Sequence, residues 1–113
     1  MVEEVTPEEV REKLDDGGVQ VVDIRQPAQF EQGHIPGAIN LPLPELPRKV
    51  DEIDWADDVV VACPIGQSSS QAARLIGSYE GVDEDATVAS MEGGYDAWEY
   101  NLEIGDSDEE APF

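Results

Sequence analysis

An uninterrupted apolar run of five residues, Val59 to Cys63, constrains the fold of this chain more than any other segment. The run is rich in β-branched side chains and has no polar alternation. That pattern is typical of a central parallel strand, because neighbouring elements cover both of its faces. The run therefore predicts that the chain is built around a buried parallel sheet.

Shorter segments on either side alternate between strand and helix patterns. Strands are predicted at Val19 to Ile24, Ala38 to Leu41 and Thr87 to Ala89. Helices are predicted from Pro7 (with Thr6 as N-cap and Glu9 completing a capping box) to Gly17, over Pro27 to Gln32, from Pro44 or Pro47 onward, over Ser68 to Tyr79, and for one or two turns within Gly94 to Tyr100. This order predicts an α/β domain with helices on both faces of a parallel sheet.

The 113 residues suit one domain, predicted over residues 1–102. Residues 103–113 are acidic and nearly free of core residues, so we expect a disordered tail there. The acidic start of the chain does not resemble a signal peptide, and no apolar stretch approaches the ~20 residues that cross a bilayer. We therefore expect a cytoplasmic protein without membrane contact.

The charge balance is extreme, with 27 Asp and Glu against 6 Lys and Arg, for a net charge of -21. Such a surface repels nucleic acid, so nucleic acid is not an expected partner. The carboxylates are spread along the whole chain, which favours a halophilic, high-salt cytoplasm, because salt at ~1 M shortens the screening length to ~3 Å. The alternative interpretation is an acidic face that binds a basic protein.

Cys63 is the only cysteine, which excludes an internal disulfide and a cysteine-based zinc site. A free thiol fits a reducing cytoplasm. No metal or cofactor is expected. Cys63 ends the predicted central strand, and the loop from Pro64 to Ser70 then leads into a helix. Ligands of α/β proteins bind at the carboxyl ends of strands, and a helix N-terminus stabilises a thiolate or a bound anion.

Within this loop, Gly66 permits a turn that a side chain would block, and the hydroxyls of Ser68, Ser69 and Ser70 are available to cap the helix or to bind an anion. The setting favours a nucleophilic Cys63. The alternative is a small buried hydrophobe at a strand end, which is a common role of free cysteine.

Three segments resemble the signatures of rhodanese-like domains. Asp23 to Phe30 with Gly33 to Pro42 resembles the N-terminal signature, Met91 to Trp98 resembles the C-terminal one, and Cys63 to Ser69 matches the length of the active-site loop. The resemblance covers roughly Val5 to Leu102. It implies a three-layer α/β/α domain with a five-stranded parallel sheet. It also implies a sulfurtransferase whose cysteine takes sulfane sulfur from a small anionic donor such as thiosulfate and passes it to cyanide, a thiol or a sulfur-accepting protein.

Under this resemblance, Cys63 carries the persulfide, and the loop binds the substrate through Pro64, Ile65, Gly66, Gln67, Ser68 and Ser69. Many members have an arginine where this chain has Ser68. The short thiosulfate sulfurtransferases of the bacterial GlpE type instead use a Gly-x-Ser-Ser loop, as in Gly66 to Ser69. Backbone N–H groups must then carry the anion binding.

Other functions stay open on the same fold. The domain could be a non-catalytic interaction or sulfur-carrier module, or a redox sensor at Cys63. Phosphatase chemistry is disfavoured, because the loop is one residue short and the nearest following arginine, Arg74, lies beyond it.

Several signature residues are interpreted as structural rather than catalytic. Asp23 and Arg25 are expected to form an ion pair near the site, and His34 to hold a turn through hydrogen bonds. Tyr95 and Trp98 are expected in the core or the pocket wall.

Overall fold

Five short strands form one sheet in the computed structural model, which describes residues 3–104. They are β1 (Glu3–Val5), β2 (Gln20–Asp23), β3 (Ile39–Asn40), β4 (Asp58–Ala62) and β5 (Thr87–Met91). Every pairing is parallel, and the spatial order is β1-β5-β4-β2-β3. The predicted α/β class and the five-stranded parallel sheet are confirmed.

The helices are α1 (Pro7–Asp16), α2 (Pro27–Gln32), α3 (Leu46–Lys49) and α4 (Gln67–Gly77). Short 3-10 segments lie at Leu43–Glu45, Val50–Glu52 and Gly94–Ala97. The capping box of α1 forms as predicted: the Glu9 N–H donates to Thr6 Oγ1 at 3.1 Å, and the Thr6 N–H donates to Glu9 Oε1 at 2.8 Å. None of the helices within residues 3–104 has the length and apolar character needed to span a bilayer.

The central strand β4 is buried on both faces. Val59, Val61 and Cys63 join a core cluster that includes Ala72 and Ile76 of α4. Val60 and Ala62 point to the other face and join a second cluster that includes Val10 of α1, Met91 at the end of β5, and Trp98, which follows the last 3-10 segment. The expectation that both faces of this strand are covered is confirmed.

Most elements differ from the sequence-based prediction by one or two residues at their ends, and three differences bear on the site. Strand β1 was not predicted, because only Val5 of its three residues is buried and its ladder with β5 is a non-local contact. Strand β4 ends at Ala62, which leaves Cys63 outside the ladder. Helix α4 begins at Gln67, with Gly66 as N-cap and no capping side chain, so of the two roles considered for the serine hydroxyls the structure excludes helix capping.

The chain segment after Trp98 packs back onto the loop that follows α2. Glu103 pairs with His34 in an antiparallel bridge, with N–H to carbonyl distances of 2.9 and 2.8 Å. Glu103 was assigned to the acidic tail, yet it is hydrogen-bonded to the domain. The rest of that predicted tail, from residue 105 to residue 113, lies outside the described residues, and the division of the chain into domain and tail stays a prediction.

Candidate active site

Cys63 lies at the carboxyl edge of the sheet, one residue beyond β4. Its side chain is fully buried, with 0% exposure. Its carbonyl oxygen accepts a hydrogen bond from the Tyr95 N–H at 2.9 Å, and the next carbonyl, of Pro64, accepts from the Asp96 N–H at 3.0 Å. The start of the loop is therefore held from its backbone side by the segment that follows β5.

The Cys63 sulfur is the centre of a small hydrogen-bonding cradle. The Gly66 N–H donates to Sγ at 3.0 Å, and the Ser69 N–H donates to it at 3.3 Å. The thiol in turn donates to Ser69 Oγ at 3.3 Å. Two N–H donors at a helix N-terminus stabilise negative charge on the atom that they face. This arrangement suits a thiolate nucleophile.

Ser90 belongs to the same cradle, although the sequence did not reveal it. Its hydroxyl oxygen lies 2.6 Å from Ser69 Oγ, and both side chains are buried. Ser90 reaches this position because it pairs in register with Val61 near the end of β4. In the sequence, Ser90 is recognisable only as a polar residue within the apolar run of β5. Its proximity to Cys63 becomes apparent only from the register of β5 with β4.

The turn of the loop depends on Gly66, whose φ of +92° lies in the left-handed region. A Cβ at this position would lie 3.0 Å from the Gly93 nitrogen and 3.4 Å from the Met91 carbonyl oxygen. The expectation that Gly66 permits a turn closed to other residues is confirmed.

Gly94 is the second position where a side chain has no room. Its φ is +59°, and a Cβ there would contact the Cys63 carbonyl oxygen and come within 2.6 Å of the Pro64 carbonyl carbon. The backbone of the loop therefore packs directly against the backbone of the segment after β5, and this contact positions the loop.

The predicted loop residues divide into two groups. The backbone of Gly66 and both the backbone and the side chain of Ser69 contact the sulfur. Pro64, Ile65, Gln67 and Ser68 are exposed at the rim, and the side chain of Ile65 is 54% exposed. The rim of the loop is thus exposed, whereas the sulfur that its backbone contacts is buried.

The expected Asp23–Arg25 ion pair is confirmed. The Asp23 carboxylate is fully buried and accepts from Arg25 Nη2 at 2.8 Å and from Arg25 Nε at 3.1 Å. Arg25 Nη2 also donates to the Gly33 carbonyl at 2.7 Å. Desolvation lowers the pKa of Arg25, but its hydrogen bond and charge interaction with Asp23 outweigh this, so that the pKa of the guanidinium is raised. Arg25 is therefore committed to a structural role.

Tyr95 connects this ion pair to the loop. The Arg25 guanidinium lies over the Tyr95 ring, 3.6 Å from its centroid, and the Tyr95 hydroxyl accepts from the Ile35 N–H at 3.1 Å. Burial, followed by the charge of Asp23, raises the pKa of Tyr95 well above its ordinary value. Since the Tyr95 N–H also holds Cys63, the two flanking signatures meet at one residue, as expected for the pocket wall.

The remaining candidates lie apart from the sulfur or serve the scaffold. His34 stacks on Phe30 and its Nδ1 lies 2.9 Å from the Phe30 carbonyl, in agreement with the predicted structural role. Arg74 lines a cavity of about 290 Å³ beside Thr87, where β5 begins, at the end of the sheet opposite Cys63. No cluster of three potential metal ligands occurs among residues 3–104.

Comparison with known proteins gives one family. Residues 6–101 match the family model described as Rhodanese-like domain. The "Putative sulfur carrier protein YrkF" of Bacillus subtilis is 31% identical over 76 residues, which make up 66% of this chain and 41% of that protein. The chain thus spans less than half the length of that relative.

Solved structures agree with this match. A rhodanese-like domain protein from Staphylococcus aureus superposes with a TM-score of 0.78 at 24% identity, over 93% of this chain and 100% of that chain, which supports the fold. A thiosulfate sulfurtransferase from Pseudomonas aeruginosa superposes with a TM-score of 0.74 at 25% identity, over 94% of this chain and 21% of that chain. With a family match that runs from residue 6 to residue 101 and includes the Cys63 loop, this chain belongs to the rhodanese-like domain family.

Proposed function

We propose that this protein is a sulfurtransferase that carries sulfane sulfur as a persulfide on Cys63. The observation that carries the proposal is the convergence of the Gly66 and Ser69 N–H groups on the Cys63 sulfur at 3.0 and 3.3 Å. These donors stabilise the thiolate before the reaction and the persulfide after it. Membership of the rhodanese-like family and the likeness to a thiosulfate sulfurtransferase support the proposal.

The reaction balances with two small substrates. The Cys63 thiolate attacks the outer sulfur of thiosulfate, the S–S bond breaks, and sulfite leaves with the bonding electrons. The sulfur now attached to Cys63 is then attacked by cyanide or by a thiolate. Its bond to Cys63 breaks, and the Cys63 thiolate is regenerated. No second cysteine is present, so an external acceptor must complete the cycle.

Access to the sulfur requires a movement of the loop. Cys63 is completely buried, whereas the next two residues of the loop, Pro64 and Ile65, are exposed. We assign Pro64, Ile65, Gln67 and Ser68 a substrate-binding role on the basis of their exposed position in the loop.

Turnover of thiosulfate with cyanide tests the proposal, with thiocyanate as the product measured. Wild type is expected to turn over, and Cys63→Ser, which removes the only thiol, is expected to lose all of the activity above the uncatalysed background. Equal thiocyanate production by the two proteins would overturn the proposal.

A sulfur-carrier module that serves a partner protein is the second candidate. The uncharged loop and the relative named as a sulfur carrier favour it. A carrier would load one sulfur atom on Cys63 and release it quickly only to its partner. Stoichiometric loading without turnover on thiosulfate and cyanide would therefore favour the carrier, whereas sustained turnover favours the enzyme. In either role, the free thiol and the net charge of -21 support a reducing, salt-rich cytoplasm as the working compartment.

A further inference from the structure

Two carboxylate residues flank the Cys63 loop. The Asp96 N–H donates to the Pro64 carbonyl at 3.0 Å, so the backbone of Asp96 is in direct contact with the loop. Glu92 lies between Met91 and Gly93, and both of these neighbours approach Gly66 within 3.5 Å of its missing Cβ. Both carboxylate residues are exposed.

Within residues 3–104, neither Glu92 nor Asp96 takes part in an ion pair. The segment from Cys63 to Ser70 contains no charged residue. Arg25 is held by the fully buried Asp23 and by the Gly33 carbonyl, with its face against Tyr95. The other basic residues in the described part of the chain have these positions: Lys13 pairs with Asp58, Lys49 pairs with Glu45, Arg11 lies over the Tyr100 ring, Arg48 is exposed on α3, and Arg74 lies at the amino end of β5.

The side-chain charge around the loop is therefore negative, and it produces a negative field outside the N–H cradle that faces the sulfur. At ordinary ionic strength the screening length is about 8 Å, so charges at the rim still act on a group that approaches the sulfur. Such a field slows an anion and attracts a cation, and rim charges change association rates more than any other step.

We infer that Glu92 and Asp96 select sulfur partners whose reacting sulfur lies beside positive charge, in preference to anionic thiols and thiosulfate. This inference rests on the proposed persulfide chemistry of Cys63 and adds the class of partner to it. The exposed Ile65 at the loop tip offers an apolar contact beside the negative rim, which suits a cationic group carried on an aliphatic stem.

The relevant step is sulfur release. A thiolate RS⁻ attacks the outer sulfur of the Cys63 persulfide, the S–S bond breaks, and the Cys63 thiolate leaves while RS–S⁻ departs as the product. Three thiols of similar size probe the charge: cysteamine carries a cation, 2-mercaptoethanol is neutral, and mercaptoacetate carries an anion. Rates of persulfide loss, measured by mass, are divided by the thiolate concentration of each reagent.

A double variant, Glu92→Gln with Asp96→Asn, removes the rim charge, and the intrinsic reactivity of each thiol cancels when this variant is compared with wild type. Glu80→Gln with Glu84→Gln is the matched control, because these exposed residues lie in the connection between α4 and β5, at the opposite end of the sheet. It removes the same charge without changing the rim. Circular dichroism verifies the fold of each protein at each salt concentration.

In wild type we expect the ratio of the cysteamine rate to the mercaptoacetate rate to exceed that of the rim variant about tenfold at low salt. Near 1 M salt the difference should largely vanish, and the control variant should behave like wild type. Equal ratios in wild type and rim variant at low salt would overturn the inference and leave the persulfide chemistry intact. If Cys63 does not load at all, the proposed function fails and this inference fails with it.

A second arm identifies the source of the positive charge. Short peptides with one cysteine between two lysines, or between two glutamates, replace the small thiols. A preference for the lysine peptide that exceeds the preference for cysteamine indicates a basic protein surface as the partner. Equal preferences indicate that a small cationic thiol suffices, and no preference in either arm contradicts the inference.

Discussion

The hydroxyl oxygens of Ser69 and Ser90 lie 2.6 Å apart, and Ser69 Oγ lies 3.3 Å from the Cys63 sulfur. Ser90 thus acts on the sulfur through Ser69. With Ser90 in place, the Ser69 hydroxyl has one partner on each side, and its proton can turn toward the sulfur when Cys63 is a thiolate. Ser90 is a positioning residue in this arrangement.

Replacement of Ser90 by alanine is expected to slow the loading of Cys63 with sulfur about three- to tenfold, because one buried hydrogen bond contributes about 0.5–1.5 kcal/mol. Stopped-flow loading and urea unfolding measure the rate and the stability. Ser78→Ala serves as the control, since its hydroxyl contacts only the Leu75 carbonyl on the surface of α4. If Ser90→Ala loads sulfur at the same rate as the control, Ser90 has no role in positioning Ser69 for the reaction.

Gly94→Ala tests the close contact between the two segments that form the loop. A methyl group there meets the Cys63 carbonyl and Pro64, so we expect both reduced stability and loss of sulfur loading. Gly37→Ala is a matched control: Gly37 also has positive φ, of +81°, but nothing lies within 4 Å of the position of its Cβ. In the control, the free energy of unfolding should fall by only ~1–2 kcal/mol, because alanine is strained in the left-handed region, and the loading rate should not change. If both variants are equally impaired, the contact with the loop has no special role.

The raised pKa of Tyr95 predicts a loss of stability in alkaline solution. The folded state keeps the Tyr95 proton to a higher pH than the unfolded chain does, so this contribution is complete below pH ~10 and is lost as the pH rises through the folded value. Between pH 9 and 11 the free energy of unfolding should fall more steeply in wild type than in Tyr95→Phe, by up to ~1.4 kcal/mol per pH unit. Tyr79→Phe should keep the wild-type slope, and equal slopes in all three proteins would contradict the prediction.

The net charge predicts that salt stabilises the fold. The 113 residues carry a net charge of -21, so screening by ~1 M KCl removes much of the repulsion within the compact state. We expect the midpoint of thermal unfolding to rise by several degrees between 0.1 and 1 M KCl. Sucrose at equal osmolality controls for solvent exclusion, and an equal rise in sucrose alone would show that charge is not the cause.

The features predicted correctly from the sequence are those with a local cause. Thr6, Pro7 and Glu9 specify the start of α1 by themselves, because all of the capping contacts lie within one turn. The central strand β4 could be predicted from the composition of its apolar run alone. The resemblance of the signatures indicated the family, and the match of residues 6–101 to the family model confirms it.

The features that were missed depend on contacts between distant segments. Strand β1 exists through its ladder with β5, and Glu3 and Glu4 give it no apolar pattern. Ser90 reaches the site only through the register of β5 with β4. The stacking of Arg25 on Tyr95 joins the loop after β2 to the 3-10 segment after β5. Sequence patterns describe which face a residue occupies, whereas these contacts require the register and the topology of the sheet.

The sequence left open whether Cys63 is buried, and the structure buries its side chain completely in the cluster that includes Ala72 and Ile76 of α4. Burial sharpens the test of the persulfide site. A buried thiol that is inert should react more slowly when folded than when exposed by denaturant, whereas a thiol in a working site should react faster when folded.

The decisive measurement is therefore the rate at which thiosulfate adds one sulfur atom to the peptide that contains Cys63, followed by mass spectrometry in the folded protein and in the same protein unfolded in urea. We predict that the folded protein loads at least tenfold faster, that the added sulfur is lost on addition of cyanide, and that Cys63→Ser gains none. Loading that is equal or faster in the unfolded chain would contradict a persulfide site at Cys63.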